Sequence, residues 1–407
     1  MLPARITAFK RVLNRRFFTA QVGQLPYERI HSPVMLNEVL EYLAPKPGGV
    51  YCDLTFGDGG YTKAILDTCD CKVVAMDQDP TAYEKAQKLA NMEQYRGRLI
   101  PILNRFGQVH SAVSDLPWKI PCFDGMVMDI GVSSGQIETA SRGFSYKLDG
   151  PLDMRMFSRG RLQNAQSDDE ARLIYKSISA YELVNFFPRE QLADIIFQIP
   201  VYVIQYGGDR LSRKIADAIV AARQKAPIET TGALATIIQK ACPQPRWQRG
   251  DDDMLRNSAA RTFQALRIYI NDELGELKNA LRASEYLLKP QGRLVVVTFH
   301  SLEDRIAKNF MHHCSGRRSM QEAELNQFDV KRSVNREWKK ATRRGQDLLL
   351  KQPQAQKTAV SPSFQLCSKH VVHPSREETH INPRSRSAKL RAAERTNGEP
   401  LAPFGSI

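Results

Sequence analysis

Short, uniformly apolar runs recur along the first third of the chain, and each gives way to a polar or glycine-rich loop. Gly49 to Leu54 suits a buried strand that breaks into Thr55-Phe-Gly-Asp-Gly-Gly60, after which Tyr61 to Leu66 reads as a helix. Lys72 to Asp77 predicts a second buried strand. Pro80 opens a helix through about Met92, since proline favours the first helical turn. Leu99 to Leu103 and Phe123 to Ile130 predict a third and a fourth strand. Strands that alternate with helices imply a parallel sheet covered on both faces.

The alternation then stops, and 138–245 reads as a helical insertion. Ser167-Asp-Asp-Glu170 and Ser179-Ala-Tyr-Glu182 are capping boxes, each opening an amphipathic run. Leu211, Ile215 and Ile219 mark one helix face, and Thr231 caps another short helix. Pro243-Gln-Pro-Arg-Trp247 is the expected linker back to the core. Phe263, Leu266, Ile270, Leu274, Leu277 and Leu281 then keep one face apolar in a single long helix, which Pro290-Gln-Gly292 ends. Arg293 to Phe299 predicts a fifth strand. Beyond about 315 the chain turns polar and irregular.

Composition narrows the class. Of 407 residues, 42% are hydrophobic and 25% charged, which excludes a wholly disordered or low-complexity chain. The longest apolar run, Leu294 to Phe299, falls far short of the ~20 residues that span a bilayer. The net charge of +14 sits at the two ends. Residues 1–27 carry five basic groups and no acid, residues 28–316 balance at 35 of each sign, and residues 317–399 carry 18 basic and 9 acidic groups. An acid-free, Arg-rich, amphipathic leader reads as a mitochondrial transit peptide, which places the protein in the matrix. A basic tail suits a polyanion, although a solvated, partly disordered extension gives the same composition. The seven scattered cysteines have no paired zinc spacing and suit a reducing compartment.

The chemistry concentrates at strand ends. Glycines follow the first strand where the backbone must turn tightly beneath a ligand. Asp77 ends the second strand, where a carboxylate accepts the ribose hydroxyls of a nucleoside cofactor. Dehydrogenases share that logic. Here, however, the loop is not G-x-G-x-x-G, and it carries Asp53 and Asp58, which would repel a pyrophosphate. A zwitterionic aminoacyl sulfonium tolerates that field, so S-adenosylmethionine is the expected cofactor. Asp129 ends the fourth strand and faces the cofactor or the acceptor.

Longer motifs make a family recognisable. They are His31-Ser-Pro-Val-Met35, Asp53-Leu-Thr-Phe-Gly-Asp-Gly-Gly60, Asp77-Gln-Asp-Pro80 and Met128-Asp-Ile-Gly-Val-Ser-Ser134. Arg142-Gly-Phe-Ser145, Asp149-Gly-Pro-Leu-Asp-Met-Arg-Met156 and Arg261-Thr-Phe-Gln-Ala-Leu-Arg-Ile268 follow. Phe299-His-Ser-Leu-Glu-Asp-Arg305 and Asn382-Pro-Arg-Ser-Arg-Ser-Ala-Lys-Leu-Arg391 complete the set. With these motifs the chain resembles the RsmH/MraW family of small-subunit rRNA cytosine N4-methyltransferases, most closely its mitochondrial members. Tyr61 stands where bacterial members carry His, and Asn257-Ser-Ala-Ala260 replaces their His-Pro-Ala-Thr.

That resemblance implies an α/β, class I, Rossmann-like methyltransferase with an inserted all-helical domain. The division is 1–27 transit peptide, 28–137 and 246–315 core, 138–245 insertion, and 316–407 basic, partly disordered C-terminal region. It implies cofactor contacts at Gly59, Gly60, Tyr61, Asp77, Phe106, Asp129 and Gln136. For the cytidine pocket the candidates are Asp129, Asp153 and His300, with Phe144 or Phe299 as a stacking face. No metal is expected. The implied substrate is a cytidine of mitochondrial small-subunit (12S) rRNA, free or in an assembling subunit. A catalytically inactive rRNA-binding assembly factor is the alternative reading.

Overall fold

The structure, a computed structural model, describes residues 33–157, 178–197, 208–242, 258–317 and 361–402. The leader, the capping box at Ser167, the linker at Pro243, Asn257 and the tail up to residue 360 lie outside the described residues.

Seven strands build one sheet in the order β3-β2-β1-β4-β5-β7-β6. They are β1 (Val50–Asp53), β2 (Lys72–Asp77), β3 (Leu99–Leu103), β4 (Phe123–Asp129), β5 (Leu288–Thr298), β6 (Phe364–Leu366) and β7 (Lys389–Arg395). The first five pair in parallel, while β7 runs antiparallel to both β5 and β6. Strand order reverses between β1 and β4, and a ligand crevice opens at such a switch point, beyond the strands' carboxyl ends.

Period-two alternation sorts the strands' apolar side chains onto two faces. Cys52, Val74, Met126 and Leu294 face one layer, and Tyr51, Val73, Val127 and Val295 face the other. The second layer is closed by α1 (Leu36–Leu43), α2 (Gly60–Thr68) and α3 (Pro80–Ala90). The first is closed by α4 (Val109–Ser114), α11 (Glu273–Leu287) and α12 (Ser301–Cys314). Central strands covered on both faces are apolar without a break, which is why the sequence displayed them so clearly.

The short helix α5 (Ser134–Glu138) follows β4. The helical region comprises α6 (Ala180–Phe186), α7 (Arg189–Phe197), α8 (Gly208–Arg223) and α9 (Thr231–Ala241). The expected box at Ser179 caps α6, with Glu182 reciprocating. The cap of α9 is Thr230 rather than Thr231: its hydroxyl accepts from Ala233 N, while Thr231 turns inward and is fully buried.

Other expectations are corrected. The long helix after residue 257 is two helices, α10 (Ser258–Asn271) and α11, broken at Asp272, whose φ is +48°. Because of that break, Ala259, Phe263, Leu266 and Ile270 pack into the insertion's apolar cluster, whereas Leu277 and Leu281 pack under the sheet. The insertion therefore owns α10, and the boundary at 245/246 falls too early. The chain leaves α11 at Leu287, ahead of Pro290, which lies within β5.

The last correction concerns 316–407. Residues 361–402 are folded, with β7 paired to β5 from Arg293 to Thr298. Its basic residues hid it. Arg391 and Lys389 both reach Asp304 of α12, at 2.7 and 3.5 Å. Arg395 is buried and donates to the carbonyls of Glu285, Ser363, Thr396 and Gly398. Read as composition those residues are a polyanion-binding tail, but here their charges are spent inside the fold. A small α13 (Arg376–Ile381) precedes β7, and its Glu378 accepts the backbone N–H of Met35 at 2.6 Å.

Candidate cofactor and active site

The carboxyl ends of β1, β2, β4 and β5 bring four acidic groups into one crevice. Asp53 ends β1 and is fully buried, accepting from Thr62 Oγ1 at 2.7 Å and from Thr55 N at 3.2 Å. Asp77 ends β2, and its two oxygens accept from the backbone N–H groups of Gly57 and Asp79, each at 2.8 Å. Asp129 ends β4, with its own N–H donated to Thr55 Oγ1 at 2.7 Å. Glu303 enters from the first turn of α12, wholly buried, with one oxygen accepting from Phe299 N and His300 N.

Burial raises the three aspartates. The carboxyl of Asp53 is pushed up to about 6 and that of Asp77 to about 7, in both cases chiefly by loss of solvent. Asp129 lies well above the ordinary carboxylate range, from burial first and then from the neighbouring Asp53 and Glu303. The crevice is short of positive charge. Asp129 Oδ1 is buried with no hydrogen-bond partner among the described residues. A buried acceptor left unmet costs about 1–3 kcal/mol. A cationic ligand carrying hydroxyls would relieve both deficits.

The glycine loop turns tightly at the mouth of this crevice. Gly57 and Gly59 sit at φ +55° and +80°, a region that side chains with a Cβ rarely adopt. Gly60 has the Pro33 ring against it, so close that a Cβ would lie 2.1 Å from Pro33 Cγ. Gln78, Leu103, Asn104, Arg105 and Phe157 line a small pocket beyond β2 and β3. Phe106 follows directly, buried, its turn fixed by Glu276, which accepts Gly107 N at 2.9 Å. These features fit S-adenosylmethionine: paired acceptors at Asp77 for a ribose, and a negative field for the sulfonium and amine.

The expected site residues divide. Gly59, Gly60, Asp77 and Asp129 converge on the crevice. Tyr61 is brought there in another role. Its side chain is buried, its hydroxyl donates to Val34 O, and its ring end lies against Asp129, so it faces a carboxyl rather than open space. Gln136 is buried with both ends engaged: its oxygen accepts from Ser133 N at 3.0 Å and its nitrogen donates to Asp79 at 2.9 Å. Asp153 is paired with Arg155 through both oxygens, and its carbonyl accepts Ala180 N at the start of α6. Its contacts thus point to the insertion. His300 caps α12 in a reciprocal box with Glu303, its Nε2 2.6 Å from Glu303 Oε1. Of the two stacking candidates, Phe144 is buried in the insertion's cluster with Arg142 over its ring, whereas Phe299 is half-buried and lies beside Gly131, just past Asp129.

Several contributors escaped sequence reasoning as individuals although their motifs were noticed. Thr55, Asp79, Arg142 and Glu303 touch the site residues directly. Only their partners reveal them, and for Thr55, Asp79 and Arg142 those partners lie far away in sequence. Among the described residues no cluster could hold a metal ion, and all seven cysteines are free thiols.

A 3-2-1-4-5-7-6 sheet with an antiparallel seventh strand, a glycine loop after β1 and acids ending β2 and β4 define a class I S-adenosylmethionine-dependent methyltransferase. The MraW methylase family matches residues 28–344, and the chain belongs to it. Two similar curated proteins are both called Ribosomal RNA small subunit methyltransferase H. That of Granulibacter bethesdensis is 43% identical over 365 residues, 89% of this chain and 91% of its own. That of Azorhizobium caulinodans is 44% identical over 377 residues, 93% of this chain and 90% of its own.

Proposed function

We propose that this enzyme methylates N4 of a cytidine in mitochondrial small-subunit (12S) rRNA, acting in the matrix as the small subunit assembles. The methylation of small-subunit rRNA follows from the family and from relatives that match nine-tenths of the chain. The observation that carries the choice of an exocyclic amine is Asp129, a buried carboxyl with an unmet oxygen at the end of β4. The compartment rests on the acid-free, Arg-rich residues 1–27.

The chemistry follows from what N4 needs. Its lone pair is delocalised into the ring, so the site must accept an N4 proton and hold the nitrogen in line. Positioning of this kind accounts for ~7–11 kcal/mol of a barrier. When bound, S-adenosylmethionine supplies an electrophilic methyl group. Asp77 holds the ribose, and Gly57 to Gly60 let the backbone approach closely. Asp129 accepts an N4 hydrogen and takes the proton that the nitrogen sheds on forming its new bond. Burial and the neighbouring Asp53 and Glu303 favour its protonated form, so it acts in this step once the adjacent sulfonium has favoured the carboxylate. His300, held against Glu303, supplies a second polar group for the base edge, and Phe299 a stacking face for the unstacked cytosine. Asp153, tied to Arg155, is set aside from this step.

The test is transfer of labelled methyl by the purified protein to small-subunit rRNA or to an assembling particle. The product should be N4-methylcytidine. Cofactor binding with no transfer to either substrate would leave the inactive assembly factor.

A further inference from the structure

A buried ion pair bolts the core to the segment that leads into the insertion. Asp79 Oδ2 accepts from Arg142 Nη1 at 2.7 Å and from Gln136 Nε2 at 2.9 Å, while Oδ1 caps α3 through Thr81 N. The side chains are only 6% and 14% exposed. Arg142 Nη2 reaches on to the carbonyls of Met156, at 2.8 Å, and Arg155, at 3.2 Å. Its own carbonyl accepts Met154 N.

The segment that Arg142 grips, 149–157, has two halves with different neighbours. The first half is stitched to the insertion. Leu152 N donates to Glu229 O, the carbonyls of Leu152 and Asp153 accept from Tyr181 N and Ala180 N, and Asp149 accepts Gly232 N at 2.7 Å. The second half walls the small pocket beyond β2 and β3. Gln78 Nε2 lies 2.8 Å from Met156 Sδ, and Phe157 lines the pocket with Leu103, Asn104 and Arg105. Asn271 of α10 pins the join, donating to Met154 O and accepting Met156 N, both at 2.8 Å.

We propose that Arg142, clamped on Asp79, is a positioning residue that transmits occupancy of the cofactor pocket to the helical insertion. It rests on reading that pocket as the adenine end of the cofactor site. An adenine against Phe157 restrains Met156 and Phe157. Arg142 holds the carbonyls just before Phe157, so the restraint passes through it to 149–154 and on to the first turns of α6 and α9. A guanidinium suits the task because its planar fork can serve a carboxylate and two carbonyls at once. Lysine, a single point charge, can keep Asp79 but not all three.

Hydrogen exchange with and without S-adenosylhomocysteine tests this on the full chain. In the wild type the ligand should slow exchange at 151–157 and also at 180–186 and 228–235, by about tenfold. Arg142→Lys should bind the ligand within about threefold of wild type, yet its slowed exchange should stop at the pocket. Its kcat for methyl transfer should fall by at least about tenfold with KM for the cofactor nearly unchanged. Asp79→Asn keeps an acceptor for the α3 cap and serves as the second variant if Arg142→Lys melts early. Protection that still reaches α6 and α9 in variants that bind the ligand would overturn the proposal, as would a wild-type insertion indifferent to the ligand. A wild type that fails to bind at all would instead remove the pocket reading, and this inference with it.

Discussion

The carboxylate of Asp77 accepts the backbone N–H of Gly57 at 2.8 Å, so the end of β2 fixes the loop that leaves β1. One acid thus serves two purposes. It shapes the glycine loop and, with its remaining lone pairs, can accept ribose hydroxyls. Asp77→Ala should weaken S-adenosylmethionine binding by about 1–3 kcal/mol, the cost of lost charge-assisted hydrogen bonds. Asp77→Asn should lose less, keeping one acceptor but leaving one backbone N–H facing an amide. Titration calorimetry on both variants checks this, and unchanged affinity in both would remove the assignment.

The raised acids give a pH signature. Asp53 and Asp77 titrate near 6 and 7 in the folded chain against ~3.9 unfolded, so the folded form binds more protons between those values. Their contribution to the stability of the unliganded protein is therefore greatest at low pH and is lost as pH rises from about 4 to 7. Cofactor affinity should run the other way, weakening as pH falls through 7, because the ribose and the cation require the carboxylate. Thermal melts and calorimetry between pH 5.5 and 8 read both slopes, and both should shrink in Asp77→Asn.

Asp129→Asn should separate chemistry from cofactor binding. It keeps an acceptor for N4 but loses the base, and general-base catalysis contributes about 10²–10⁴-fold. Single-turnover transfer should slow within that range while cofactor affinity changes little. Slowing matched by an equal loss of cofactor binding would make Asp129 a cofactor ligand only.

The C-terminal segment should behave as core. Leu390 is fully buried in β7, and Leu390→Ala should cost about 2–5 kcal/mol in a denaturant titration. Arg384 bonds Ser134 and pairs with Glu138 at 2.8 Å on an exposed surface, so Arg384→Ala should cost no more than about 1 kcal/mol. An RNA-contacting role for the tail then falls to Arg343 and Arg344, outside the described residues. Their charge reversal should flatten the salt dependence of RNA binding without moving the melting temperature.

A reporter fused to residues 1–30 should enter mitochondria, and Glu at Arg11, Arg15 and Arg16 should stop it. Microscopy of the two fusions decides between an address and an ordinary basic extension.

How much of this was legible beforehand depended on how local each signal was. The five parallel strands announced themselves as apolar runs, and Gly57 to Gly60, Asp77 and Asp129 are strand-end residues that spacing can find. The break at Asp272 was invisible, because the apolar face continues in phase on both sides while its partners change. Strand β7 was hidden by Lys389, Arg391 and Arg395, whose partners are Asp304 on α12 and carbonyls on α11, just before β6 and just after β7. Tyr61, Gln136 and Asp153 carried the right motif positions, but their side chains proved committed to Val34, Asp79 and Arg155. Such commitments are set by tertiary approach, which no local pattern encodes.

The measurement that bears most directly on the whole reading is nucleoside mass spectrometry of mitochondrial small-subunit rRNA from cells with the protein, without it, and with Asp129→Asn in its place. N4-methylcytidine at a single position should be present in the first and absent in the second. The third should lose most of it while the variant remains folded and binds cofactor. An unchanged level of N4-methylcytidine without the protein would contradict the assignment.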